Sequence, residues 1–112
     1  MPKRDAGITL AQMRDHVREA LSIAKGKSRM DLNQDRLLNL SLTRLLEILG
    51  EAANRVPAEV QAKHPDVPWS QLVGLRNRLI HAYDDVDLEI LWEIVTQDLP
   101  PLAATLERIT PA

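Results

Sequence analysis

Leu37-Leu38-Asn39-Leu40-Ser41-Leu42-Thr43-Arg44-Leu45-Leu46-Glu47-Ile48-Leu49-Gly50-Glu51-Ala52-Ala53-Asn54-Arg55 is the stretch on which the fold turns. Leu38, Leu42, Leu45, Leu49, Ala52 and Val56 recur at alternating steps of four and three, the period of one helical face. Leu37, Leu40, Leu46 and Ile48 add apolar surface off that face, so this helix must be covered on more than one side. It is expected at the centre of a bundle, or against a second subunit as well. Asp31 with Gln34 three residues on reads as a capping box, which starts the helix near Asp31 and ends it near Arg55.

The flanking segments have the same character. Thr9 is the expected N-cap of a first helix carrying Leu10, Met13, Val17, Ala20, Leu21 and Ala24, with Gly26 as its stop. Pro57 breaks the long helix, and Ala58 to Lys63 allow one short helical turn. His64-Pro65-Asp66-Val67-Pro68 is a stiff connection, since each proline fixes its own φ and restricts the residue before it. Pro68 then suits the first turn of a third helix, with Trp69, Leu72, Leu75 and Leu79 inward, ending near Ala82. Asp87 can cap a fourth helix carrying Leu88, Leu91, Trp92, Val95 and Leu99, which Pro100-Pro101 must kink or restart. The reading is all-α: an up-and-down bundle of four main helices plus a short or kinked extra helix, one domain over residues 1–112.

Composition agrees. Hydrophobic residues make up 45% of the 112 residues but aromatics only 3%, so Leu, Ile, Val and Ala must build the core, which favours packed helices. There is no cysteine, hence no disulfide or thiolate metal site, which fits a cytoplasmic protein. No signal peptide or membrane span is recognisable. A formal charge of −2 argues against a general nucleic-acid coat but leaves room for a local basic cleft.

Polar chemistry concentrates in Arg76-Asn77-Arg78-Leu79-Ile80-His81-Ala82-Tyr83, which holds the only tyrosine. Arginine offers a permanent fork-shaped cation for phosphate oxygens, and histidine a proton carrier near neutral pH. On one continuous helix Gly74, Asn77 and His81 share a stripe, with Arg76 one step round. His81 would then fall in the last turn, where free carbonyls favour a cation. Tyr83 would leave the helix and fold its hydroxyl back. Pattern alone equally allows a helix-ending histidine, solvated arginines and a tyrosine plugging the bundle. Glu47, Glu51 and Arg55 form a polar line at four-residue spacing, for intrahelical pairing or for Glu51 to orient Arg76 or Arg78. Asp84, Asp85 and Asp87 lack the glycine and distal glutamate of a calcium loop and read as a capping turn. His16 and His64 read as ordinary.

The spacing Arg76, four residues, His81, one residue, Tyr83 resembles that of the HEPN superfamily, specifically its HepT-like toxin branch. The block Glu47 to Arg55, His64-Pro65-Asp66-Val67-Pro68-Trp69, Gly74 to His81, Val86-Asp87, Leu91-Trp92 and Asp98-Leu99-Pro100 are similar to that branch in the same order. The resemblance is weakest over residues 1–29. It implies a helical homodimer whose two motif segments face each other across a cleft. It implies a metal-independent endoribonuclease without a cofactor, in which Arg76 and His81 are catalytic and Asn77 assists; Arg78, and Glu51 from the polar line of the long helix, are possible supporting residues. It implies RNA as substrate, with no DNA or membrane partner, in a type VII toxin–antitoxin system. An MntA-like minimal nucleotidyltransferase antitoxin would silence the toxin by AMPylation of Tyr83. The alternative from the same residues is a non-catalytic helical dimer binding nucleotide, RNA or the antitoxin.

Overall fold

The computed structural model describes residues 5–80 and 85–111. Helix α1 (Ala6–Ala24) runs up one side; α2 (Asp31–Gln34) is a single turn; α3 (Arg36–Arg55) returns through the centre. After α4 (Ala58–Lys63), the third limb is α5 (Trp69–Val73) followed by α6 (Leu75–Leu79). The fourth limb is α7 (Leu88–Glu93), a π-helical turn over Ile94–Asp98, and α8 (Leu99–Ile109). Helix α3 packs against α1, α5 and α6, while α1 closes the ring against α8. The architecture is the expected all-α bundle. Among the described residues no helix is long and apolar enough to cross a membrane.

The centre of α3 is as apolar as its sequence requires. Leu42, Leu46 and Leu49 are fully buried with Met13, Val17, Leu79, Leu91 and Leu106 from the other limbs. Leu46, off the main stripe, is covered because helices pack on two sides of α3. Leu37 and Leu40 are not covered: they remain 77% and 48% exposed.

Several helix ends differ from the expected ones, each for a local reason. The cap of α1 is Asp5, whose Oδ1 accepts from the Gly7 N–H at 2.7 Å; Thr9 is a buried residue inside the helix. Asp31 does not cap the long helix. It accepts from the Ser28 N–H at 2.7 Å and opens α2, whereas Asp35, extended at φ −115° and ψ 98°, breaks the chain and caps α3 by accepting from the Leu38 N–H at 3.1 Å. A carboxylate three residues before the donating N–H is the usual cap geometry. Gly26 does end α1, with a φ of 76° that a side chain rarely adopts. Asp87 caps α7 by accepting from the Ile90 N–H at 3.1 Å.

Pro100 and Pro101 neither break nor sharply restart the fourth limb. Prolines in an α-helix remove N–H donors and collide with carbonyls one turn back. Here the turn before them widens: the Leu99 N–H reaches Ile94 O, a five-residue step, so the helix continues with one residue looped in. The proline-rich connection before α5 is pinned by Trp69, whose indole N–H is shared between Gln61 O at 3.1 Å and His64 O at 3.0 Å. The Gln61 amide in turn donates to Val56 O at 3.1 Å, satisfying a carbonyl at the end of α3.

Two limbs approach closely at Gly50. A Cβ built there would lie 2.7 Å from the Leu72 backbone oxygen, and 3.7 Å from the Leu75 Cβ. Glycine inside a helix normally costs about 1 kcal/mol relative to alanine; here it is what lets α3 and α5 meet.

Gly50→Ala is therefore expected to lower stability by about 1–3 kcal/mol, through overpacking against a backbone oxygen, rather than raise it through helix propensity. Urea unfolding of the variant decides the sign. A second expectation concerns the clasp between α1 and α8, where Arg18 hydrogen-bonds Glu107 through both carboxylate oxygens. That hydrogen bond, with partial desolvation opposing it and the Arg18 charge adding to it, holds the Glu107 carboxyl below its ordinary range. A carboxyl lowered on folding stabilises above its unfolded pKa, about 4.3, and loses that contribution as pH falls through its folded value. The gap in melting temperature between wild type and Glu107→Gln should thus be present at pH 7 and close in acid.

Candidate active site

The motif limb does not form one helix. Gly74, at φ −85° and ψ 2°, divides α5 from α6, and α6 stops at Leu79 with Ile80 extended at φ −110° and ψ 119°. The stripe expected to run from Gly74 through Asn77 to position 81 is therefore interrupted at Ile80. His81 and Tyr83 themselves lie outside the described residues. The ends of the segment that carries them are tied together: Ile80 bridges antiparallel to Val86, and the Asp87 N–H donates to Leu79 O at 2.8 Å. Leu79 is buried on one side, and Asp87 caps the start of α7 on the other.

Leu75 and Leu79 fix the inward face of α6, so the residues between them point out. Arg76 and Asn77 are exposed, and they flank a groove between α3 and α5–α6 of about 240 Å³. Its other walls are Glu47, Glu51, Asn54 and Val73, over a floor at Gly50. The glycine that allows close helix packing thus also sets the depth of the groove.

Of the two readings of the polar line, Glu47 and Glu51 do pair within α3, with Arg44 and not Arg55 as the cation, while the orientation of Arg76 by Glu51 is not seen among the described residues. Arg76 Nε lies 3.8 Å from Glu47 Oε2, and Glu47, with only 20% of its side chain exposed, also faces Arg44 at 3.9 Å. Glu51 lies in the same groove, but its ion pair is with Arg44 at 3.7 Å. The acid opposite Arg76 is thus Glu47 and not Glu51. The reason is geometric: α6 crosses α3 with Arg76 one turn N-terminal of Glu51. Arg78 turns the other way, toward Asp98 of the π turn at 3.6 Å. It braces the third limb against the fourth and does not line the groove. Glu47 could have been singled out in the sequence only by its place on the polar line of α3. Which line member meets Arg76 depends on the split at Gly74.

The remaining residues weighed from sequence fall away from this groove. His64 offers its backbone carbonyl to Trp69, and His16 sits on α1, outside the groove. Of the acidic turn, Asp87 is a helix cap, as expected.

Comparison with known proteins identifies the family. Residues 13–109 match the family model described as ribonuclease HepT-like. The chain is 33% identical over 109 residues to a candidate RNase of Methanocaldococcus jannaschii, covering 97% of this chain and 100% of that protein. It is 39% identical over 85 residues to a candidate RNase of Caldanaerobacter subterraneus, covering 76% of each chain. It is 37% identical over 75 residues to the probable ribonuclease HepT of Thermococcus cleftensis, covering 67% of this chain and 68% of that one. No solved structure matches. With the motif limb, the long central helix and the groove between them all inside the matched span, the chain belongs to the HepT-like ribonuclease family.

Proposed function

We propose that this chain is a ribonuclease toxin that cuts RNA internally, with Arg76 and His81 as its catalytic pair and Asn77 assisting. The observation that carries the reading is an exposed guanidinium and amide, Arg76 and Asn77, displayed side by side from a packed helix in a chain of this family. Residues 1–112 are taken as one such domain.

The chemistry needs no group beyond the side chains and the RNA. A base removes the proton of a 2′-hydroxyl, whose oxygen attacks the neighbouring phosphorus. The bond to the 5′-oxygen breaks and that oxygen takes up a proton, leaving a 2′,3′-cyclic phosphate and a 5′-hydroxyl. An imidazole, whose unperturbed pKa is about 6.5, can serve as base or acid, and His81 supplies one. Arg76 stabilises the charge that builds on the phosphoryl oxygens, and Asn77 holds a non-bridging oxygen or orients the imidazole. Glu47 limits where the Arg76 guanidinium can swing. One protomer supplies one motif histidine, whereas a two-fold dimer brings two, with doubled guanidiniums, to one cleft. The exposed Leu37 and Leu40 of α3 supply apolar surface for such a pairing.

Tyr83 lies two residues beyond His81 in sequence, so an AMP attached to its hydroxyl would put a bulky anion beside the catalytic pair and exclude the substrate phosphate. That is how an MntA-like nucleotidyltransferase antitoxin would silence the toxin, in a type VII toxin–antitoxin pair working in the cytoplasm.

His81→Ala is expected to lower cleavage of RNA by about 10²–10⁴-fold, and Arg76→Ala by about 10²–10³-fold, each with the helical circular dichroism and melting temperature of wild type. Wild-type turnover in His81→Ala, purified free of other nucleases, would remove the assignment. Intact mass after co-expression with an MntA-like nucleotidyltransferase should show adenylyl additions, absent in Tyr83→Phe.

A further inference from the structure

We propose that the groove between α3 and α5–α6 is a nucleobase subsite that takes guanine from the nucleotide whose phosphate rests on Arg76. This rests on the ribonuclease reading above and adds a substrate preference to it.

The first ground is that the charged and amide side chains lining the groove form no close pair with one another. Arg44, Glu47, Glu51 and Arg76 meet only at 3.7–3.9 Å, beyond hydrogen-bond contact. Elsewhere on the surface Arg29–Glu89 and Arg108–Asp66 close to 2.8 Å, while Arg78–Asp98 and Arg18–Asp15 stand at 3.6 Å. Among the described residues, Glu47, Glu51, Asn54, Arg76 and Asn77 make no side-chain hydrogen bond, although all of them line one groove. Charges that could close on one another but stand apart around a cavity leave donors and acceptors directed at whatever fills it.

Shape gives the second ground. The groove holds about 240 Å³, below the range of about 300–1,000 Å³ usual for drug-sized ligands, which suits a single planar ring system. Val73, 43% exposed at its edge, and the bare backbone of Gly50 offer apolar surface to a ring face.

Charge selects the group. Two carboxylates repel a second phosphate and favour a neutral ring edge that presents N–H donors. Ionised carboxylates only accept, through two oxygens side by side. Guanine presents N1–H and the N2 amine side by side and can satisfy one carboxylate twice. Adenine presents one amino group beside an acceptor and would have to use Asn54 or Asn77. Hydrogen bonds to an ionised group are roughly twice as strong as neutral ones, so the carboxylate edge decides for guanine. Glu51, more exposed than Glu47 and paired only with the solvent-exposed Arg44, is the acceptor free to turn to the base.

The test uses 2′-O-methylated GpU and UpG, their inosine counterparts and ApU, which cannot be cut because the attacking hydroxyl is blocked. Binding is measured by calorimetry on the full chain. In one of the two orders guanosine should bind about tenfold tighter than inosine, which lacks only the N2 amine. Glu51→Gln should abolish that difference while melting like wild type. Equal affinity for guanosine and inosine in both orders, no binding of any dinucleotide, or a preference that survives in Glu51→Gln would each overturn the subsite. The unmethylated dinucleotides test the parent reading separately: guanosine-selective binding without cleavage keeps the subsite and refutes the ribonuclease.

Discussion

The close approach of Gly50 to the Leu72 carbonyl is the contact on which the site depends. Any side chain at position 50 would meet a backbone oxygen at 2.7 Å, so α3 and α5 can lie this close only with glycine there. That approach brings α6 alongside α3, sets Arg76 opposite Glu47 and leaves a shallow groove between them. A bulkier residue would push the third limb outward, widening the groove and separating the guanidinium from its acid. Stability and site geometry are therefore coupled through one backbone contact.

Around that contact the molecule uses ionic pairs in two ways. Arg18 with Glu107 and Arg108 with Asp66 tie outer elements of the bundle in direct hydrogen bonds. Arg14 likewise donates to the Thr110 hydroxyl at 3.1 Å and to Pro111 O at 2.5 Å, fastening the chain end to α1. The charges at the groove stand apart instead, as do Arg78 and Asp98 at 3.6 Å. Exposed pairs at such separation contribute little to stability, so the groove charges gain nothing structurally from their spacing. A phosphate and a base edge would give them partners.

Much of the fold could be read from periodicity, and the exceptions have physical causes. The stripe of α3 identifies its buried residues because a four-three repeat has few other uses. Helix starts were harder: Asp31 and Asp35 are both good caps four residues apart, and only the extended backbone at Asp35 decides between them. Pro100-Pro101 announce a perturbation but not its form, since a kink and a π turn relieve the same clash. At the site, Arg76 and Asn77 were legible from residue type, as was their placement off the core face. The identity of the acid across the groove was not, because Glu47 and Glu51 lie one turn apart on α3. Choosing between them requires knowing that the third limb divides at Gly74. Residue-type chemistry carries no information about such a crossing.

The central claim is that Arg76 and His81 direct a 2′-hydroxyl onto its neighbouring phosphate. The most direct measurement is the chemical identity of the RNA ends left by the purified chain with EDTA present. The account predicts 2′,3′-cyclic phosphate and 5′-hydroxyl ends, formed at an undiminished rate in the chelator. Ends bearing 3′-hydroxyl and 5′-phosphate, or cleavage that the chelator stops, would contradict it.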